Sequence, residues 1–173
     1  MTALFMRKNI YLVGMMGSGK TETAKGLAEI LGMKAIDMDE LVVREEGCSI
    51  NQIFEEKGEA YFRDVESRVL RQISIKKNLV VATGGGTVIR EENRKVLSQT
   101  GKVFYLRSSM DILWDRVKEM KDRPLLRVSE PKVVLERIYE ERRPYYEAFE
   151  YQIDTDLKTP EDVAREIAKM VEE

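Results

Sequence analysis

Apolar and polar residues change their period repeatedly along the chain, and each change predicts an element. Ile10-Tyr11-Leu12-Val13 is a continuous apolar run, read as a strand over Asn9–Val13. From Lys20 to Leu31 the period lengthens to that of a helix, with Leu27, Ile30 and Leu31 on one face and Gly32 as its stop. A second strand is predicted over Lys34–Asp37 and a helical stretch over Asp39–Glu46, ended by Gly47. Ser49-Ile50-Asn51-Gln52 reads as a capping box opening a helix to about Lys57, with Gly58 as the stop. From Glu59 to about Lys76 a longer helix buries Phe62, Val65, Val69, Leu70 and Ile73.

Leu79–Ala82 is a second continuous apolar run, as in a parallel strand covered on both faces, and it leads into Thr83-Gly84-Gly85-Gly86. A helix over Glu91–Gln99 and a strand over Lys102–Leu106 follow. Ser109 or Asp111 caps the next helix, which carries Ile112, Leu113, Trp114 and Val117. Lys118–Val128 has no period and reads as a mobile loop; a helix then covers about Glu130 to Tyr146, its last turn broken by Pro144. Tyr151–Asp154 is a fifth strand, and Thr159-Pro160-Glu161-Asp162 opens a terminal helix with cap, proline and first-turn acids in place. Strands alternating with helices imply an α/β fold, a parallel sheet with helices on both faces, whose ligands sit beyond the carboxyl ends of the strands.

Composition narrows the function. The length of 173 residues suits one domain, and 29 basic against 31 acidic residues leave a net charge of −2, no electrostatic basis for a nucleic-acid or membrane partner. One cysteine, Cys48, read as a small buried residue near a helix end, and no histidine leave no zinc cluster and fit a reducing cytoplasm. Acid–base work therefore falls to Asp, Glu, Lys, Arg or water. The segment Met1–Asn9, interrupted by Arg7-Lys8, reads as neither signal peptide nor membrane span.

The chemistry-bearing stretch is Gly14-Met15-Met16-Gly17-Ser18-Gly19-Lys20-Thr21, a phosphate-binding P-loop between a strand and a helix. Its glycines let backbone N–H groups wrap an oligophosphate, Lys20 reaches the β- and γ-phosphates, and the Thr21 hydroxyl completes a Mg²⁺ shell. Leu79–Ala82 ends in threonine and glycine rather than the acid that usually assists the metal, which makes Asp37 the best replacement. In Asp37-Met38-Asp39 one carboxylate serves the metal through water and the other orients or deprotonates a hydroxyl, or else both cap the helix. Arg63 and Arg142 suit a carboxylate substrate, Gly84–Gly86 lets it approach bare backbone, and Arg123 can swing over the phosphates. Glu66 can pair with Arg63 at i, i+3.

In their order, the P-loop, Asp-x-Asp at 37 and 39, Phe62-Arg63-x-x-Glu66, Thr83-Gly84-Gly85-Gly86, Arg123-Pro124-Leu125-Leu126 and Arg142-x-Pro144-x-Tyr146 resemble the shikimate kinase family. These are small P-loop kinases of the nucleoside monophosphate kinase type, and the resemblance runs from about residue 9 to residue 165. It implies a three-layer sandwich around a five-stranded parallel sheet in the order 2-3-1-4-5, a substrate-binding region at about 39–66 and a lid at about 118–128. The implied reaction is MgATP-dependent phosphorylation of the 3-hydroxyl of shikimate, in the chorismate route to aromatic amino acids, by a cytoplasmic monomer. Asp39 is then the base, and Asp39, Arg63, Gly84, Gly85, Gly86 and Arg142 hold shikimate. Lys20 and Arg123 stabilise phosphate, while Thr21 and Asp37 serve Mg²⁺. Gly17, Ser18, Gly19, Lys20, Thr21 and Glu22 line the ATP phosphates, although Glu22 stands where a small hydroxyl residue is commoner. Arg116 stacks on adenine, and Lys158 and Pro160 complete its pocket. Arg143 beside Arg142 leaves two candidates for the carboxylate. A kinase for gluconate or a nucleoside monophosphate would share the P-loop but need another acceptor site, and a non-enzymatic ATP switch would need neither Asp39 nor a lid.

Overall fold

The computed structural model describes residues 7–173; the expectations for the amino-terminal segment fall mostly on residues 1–6, outside the described residues. The elements are β1 (Asn9–Val13), α1 (Lys20–Leu31), β2 (Lys34–Asp37), α2 (Met38–Glu46), α3 (Ile50–Ser74), β3 (Leu79–Ala82), α4 (Glu91–Thr100), β4 (Gly101–Arg107), α5 (Met110–Val117), α6 (Pro131–Glu147), β5 (Tyr151–Asp154) and α7 (Pro160–Glu172). Single 3₁₀ turns occupy Thr87–Ile89 and Pro124–Leu126.

The strands form one parallel sheet in the order β2-β3-β1-β4-β5, as expected. Residue alternation sorts β1 between two cores. Ile10 and Leu12 meet Ala24 and Leu27 of α1 and Val163, Ala164 and Ile167 of α7. Tyr11 and Val13 face the other layer, built from Leu70 and Ile73 of α3, Leu97 of α4, Leu113 of α5 and Leu135 and Ile138 of α6. Fully burying each large aliphatic side chain contributes about 1.5–3 kcal/mol, so the two covered faces dominate the stability. A third, smaller cluster of Val42, Ile53, Phe62, Val65 and Val69 holds α2 to α3.

The register positions the site. Leu12 lies beside Ala82, Val13 beside Tyr105, and Asp37 beside Ala82. The P-loop after Val13, the glycine run after Ala82 and the acidic pair at the end of β2 therefore emerge along one edge of the sheet.

Several local expectations need correction. Ile30 is 49 % exposed, because the apolar face of α1 is narrower than a four-residue spacing suggests. Gly58 (φ 83°, ψ 169°) does not end a helix but kinks α3, which resumes at once. Ser109 stands at the amino end of α5 without a side-chain capping bond; its N–H is met by Asp156 Oδ1 at 3.1 Å instead. Pro144 lies inside α6, which continues to Glu147. The missing N–H is tolerated because the last turn is anchored by Tyr146, fully buried and stacked on Tyr105. Cys48 is half-buried, packed beside Ile50 and Phe54 at the rim of the small cluster. Residues 118–128 are irregular apart from the turn at Pro124–Leu126.

Candidate active site

A cleft of about 610 Å³ opens along the carboxyl edge of the sheet. Its floor is the P-loop. Gly17 (φ 82°) and Gly19 (φ 88°) adopt left-handed backbone conformations, and a Cβ on Gly17 would lie 2.7 Å from Val117 Cγ1. Ser18 N–H donates to Met15 O at 3.1 Å, closing the loop, and α1 begins directly at Lys20. Lys20 is buried, its ammonium donating to Gly14 O at 2.6 Å and Met15 O at 2.8 Å. Burial pulls its pKa down to about 7 and Arg123 adds to the effect, against the opposing pull of Asp39. An incoming phosphate is the partner that restores its charge.

Asp37 does two jobs at the end of β2. Its Oδ1 accepts the N–H groups of Asp39 at 2.9 Å and Glu40 at 3.3 Å, capping α2, while Oδ2 accepts the Thr21 hydroxyl at 2.5 Å. The capping and metal-side readings of this residue are thus compatible. Asp39, free of capping duty, lines the cleft. Burial, then Glu66 and Asp37, raise its pKa to about 6, and the opposing pull of Lys20 and Arg123 does not offset them.

Among the described residues no three His, Cys, Asp or Glu side chains group to form a metal cage. The paired Thr21 hydroxyl and Asp37 carboxylate still fit Mg²⁺, which is usually held by one or two protein oxygens plus substrate phosphates and water.

Arg63, on the buried face of α3, is gripped by Glu66 Oε1 at 2.9 Å and Glu59 Oε1 at 3.3 Å, with its Nε buried and unpartnered. The second Glu66 oxygen accepts the Thr87 hydroxyl at 3.0 Å, which locks the clamp to the chain just after the glycine run. Arg142 is also buried, and among the described residues it has no carboxylate partner. Arg143 is only partly buried and is occupied by Glu140 and Glu147. Of the two candidates, Arg142 is the one in the cleft.

The glycine run is the meeting point of these groups. A Cβ on Gly84 would run into Glu66 and lie 3.2 Å from Asp39 Oδ1, one on Gly85 would lie 3.3 Å from Arg142 Nη1, and one on Gly86 would overlap the Arg63 guanidinium. Asp39, Arg63 and Arg142 thus surround bare backbone, next to the P-loop.

At the other end of the cleft Arg116 Nη1 donates to Gly17 O at 2.9 Å, and Lys158, held by Glu166 at 2.7 Å, lies with Pro160. Glu22 lines the cleft too, but its carboxylate is turned to Lys25 at 3.2 Å. Arg123 lines the roof, with Nε buried and unpartnered and Nη1 3.5 Å from Asp122. Arg143 apart, the site residues singled out from the sequence line this cleft.

Sequence reasoning missed Glu59, the partner role of Thr87 and the apolar wall of Ile50, Phe54 and Phe62. Glu59 was recoverable, since 59 and 63 are four apart on one helix face. Thr87 and the wall depend on how α3 packs against other segments, which no local spacing encodes.

The shikimate kinase family model matches residues 16–172. A shikimate kinase of Thermodesulfovibrio yellowstonii is 42 % identical over 165 residues, covering 95 % of each chain. One of Prochlorococcus marinus is 46 % identical over 166 residues, covering 95 % of this chain and 87 % of the other. Among solved structures, the shikimate kinase of Acinetobacter baumannii in complex with shikimate superposes with a TM-score of 0.92 at 40 % identity, covering 95 % of this chain and 93 % of that one. By sequence and by fold, the chain belongs to the shikimate kinase family, the P-loop transferases that phosphorylate shikimate with ATP.

Proposed function

We propose that the chain acts as a monomeric, cytoplasmic, single-domain kinase in which the residues around Gly84–Gly86 bind shikimate and direct its 3-hydroxyl to the γ-phosphate of MgATP. The convergence of Asp39, Arg63 and Arg142 on that glycine run, beside Lys20, carries the reading. Residues 39–66 form the acceptor side and residues 118–128 the lid.

In this mechanism Arg63 and Arg142 hold the acceptor's carboxylate by charge-assisted hydrogen bonds. That anchor sets the hydroxyl beside Asp39, which takes its proton as the acceptor oxygen bonds to the γ-phosphorus and the bond to the ADP oxygen breaks. Lys20 and Arg123 meet the charge on the transferring group, where electrostatic stabilisation is worth most. Thr21 and Asp37 would hold Mg²⁺, which would supply neutralisation of charge on the phosphates. Arg116, Lys158 and Pro160 enclose the adenine, and Gly17, Ser18, Gly19 and Glu22 line the phosphate end.

A coupled ADP-release assay tests the proposal. Turnover should require both Mg²⁺ and shikimate, and gluconate or nucleoside monophosphates should not replace shikimate. Arg63→Ala and Arg142→Ala should each raise the KM for shikimate roughly 10- to 100-fold, the worth of a hydrogen bond to a charged group. ADP release indifferent to the acceptor, or unchanged KM in both variants, would overturn it.

A further inference from the structure

Tyr146 touches the cleft from behind, and its hydroxyl has no part in the chemistry above. The side chain is fully buried in the last turn of α6, with its ring stacked on Tyr105 of β4 at a centroid separation of 5.1 Å and an angle of 16°. A phenylalanine would fill the same space. Burying a phenol oxygen is unfavourable unless it is partnered, so the partners indicate what the hydroxyl is for.

Three groups among the described residues bear on it. The hydroxyl donates to the carbonyl of Gly85 at 2.5 Å. It approaches Sδ of Met15, in the P-loop, at 3.8 Å. Arg142, one helical turn earlier on the same face of α6, is buried against the same glycine, its Nη1 3.3 Å from where a Gly85 Cβ would sit. The oxygen lies where the acceptor loop, the P-loop and the buried arginine meet, and Gly85 itself sits against both Arg142 Nη1 and the Met16 backbone nitrogen.

The peptide between Gly85 and Gly86 is trans, so its C=O and N–H point in opposite directions. Turning the carbonyl toward Tyr146 turns the Gly86 N–H away from it. Gly86 is also the residue packed against the Arg63 guanidinium. Glycine backbone has more conformational freedom than any other, and a single strong acceptor bond is an economical way to remove it.

We propose that Tyr146 is a positioning residue for the acceptor: its hydroxyl holds the Gly85–Gly86 peptide and the Arg142 guanidinium in fixed relation and so sets the affinity for the carboxylate-bearing substrate. The inference rests on the proposal that Arg142 and Gly84–Gly86 bind shikimate.

The test is steady-state kinetics of Tyr146→Phe, which keeps the ring and its stack, beside Arg142→Lys and the double variant. In Tyr146→Phe the KM for shikimate should rise about tenfold, the loss of roughly one buried hydrogen bond, with kcat within about threefold and the KM for ATP unchanged. Because the hydroxyl acts partly through Arg142, the double variant should lose less than the product of the single losses. An unchanged shikimate KM in Tyr146→Phe, an equal rise in both KM values, or strict additivity would overturn the assignment. If Arg142→Lys also leaves shikimate KM unchanged, the acceptor-site reading falls with it; if Arg142→Lys raises it and Tyr146→Phe does not, only the role of Tyr146 falls.

Discussion

Asp39, the proposed base, illustrates how burying a carboxylate in a cleft costs stability. Its pKa is about 6 in the folded protein against an ordinary value of 3.8, so between those pH values the folded state binds more protons than the unfolded chain. Stability therefore falls as pH rises from about 4 to about 6, by at most roughly 3 kcal/mol. Asp39→Asn should accordingly melt several degrees higher than the parent protein at pH 8, and the gain should vanish near pH 4, where the parent carboxyl is already protonated. The same substitution should depress kcat roughly 10²- to 10⁴-fold while barely moving the KM for ATP. A scanning-calorimetry series over pH, set beside the kinetics, checks both halves. In the parent enzyme kcat should decline as pH drops through about 6, as the base becomes protonated.

The β3-to-α4 connection shows what a short element contributes when other side chains close around it. Gly86 has an ordinary backbone conformation (φ −97°, ψ 4°), so alanine there would carry no backbone strain. Its Cβ would nevertheless displace the Arg63 guanidinium, which cannot swing aside without breaking its pairs to Glu66 and Glu59. Gly86→Ala should fold normally and raise the KM for shikimate at least tenfold, with the KM for ATP little changed; circular dichroism and the two KM values check it. The need for glycine here comes from a side chain belonging to α3, whereas the need at Gly17 and Gly19 comes from the loop's own backbone. For that reason the P-loop could be read from its spacing, and the purpose of Gly84–Gly86 only roughly. Pro144 teaches the converse. Its local rule predicted a break, and the buried Tyr146 two residues on overrode it.

Over the whole molecule, two polar side-chain contacts among the described residues join the segment 118–128, the proposed lid, to the first half of α3. Asn51 Nδ2 donates to Lys121 O at 3.2 Å, and Arg127 pairs with Glu55 at 2.6 Å. Both members of the ion pair are more than half exposed, so its contribution to global stability is small. Its leverage lies in coupling two walls of the cleft rather than in holding the core. Arg127→Ala should leave the melting temperature nearly unchanged and raise the KM for shikimate severalfold at low ionic strength. The difference from the parent should shrink in about 1 M salt, where screening removes the pair in both proteins. A parallel salt titration of the two enzymes decides it.

Periodicity and spacing were enough for all five strands, eight helical stretches (two of them joined across the kink in α3), the P-loop and the acidic pair, because each depends on neighbours within a few residues. The strand order came from resemblance to a known family and not from local pattern, whereas the chemistry of Arg63 and Arg142 and the i, i+3 spacing of Glu66 already marked the clamp. Tertiary structure alone decided that Arg142 rather than Arg143 faces the cleft, that Asp37 caps α2 while Asp39 is left for the substrate side, and that Tyr146 reaches Gly85. Those outcomes follow from how helices pack on the sheet, bringing together residues as distant in the chain as Met15 and Tyr146, 131 positions apart. Local sequence rules describe a residue's own helix or loop; burial, charge and hydrogen-bond partners across the cleft exist only once the chain has closed on itself.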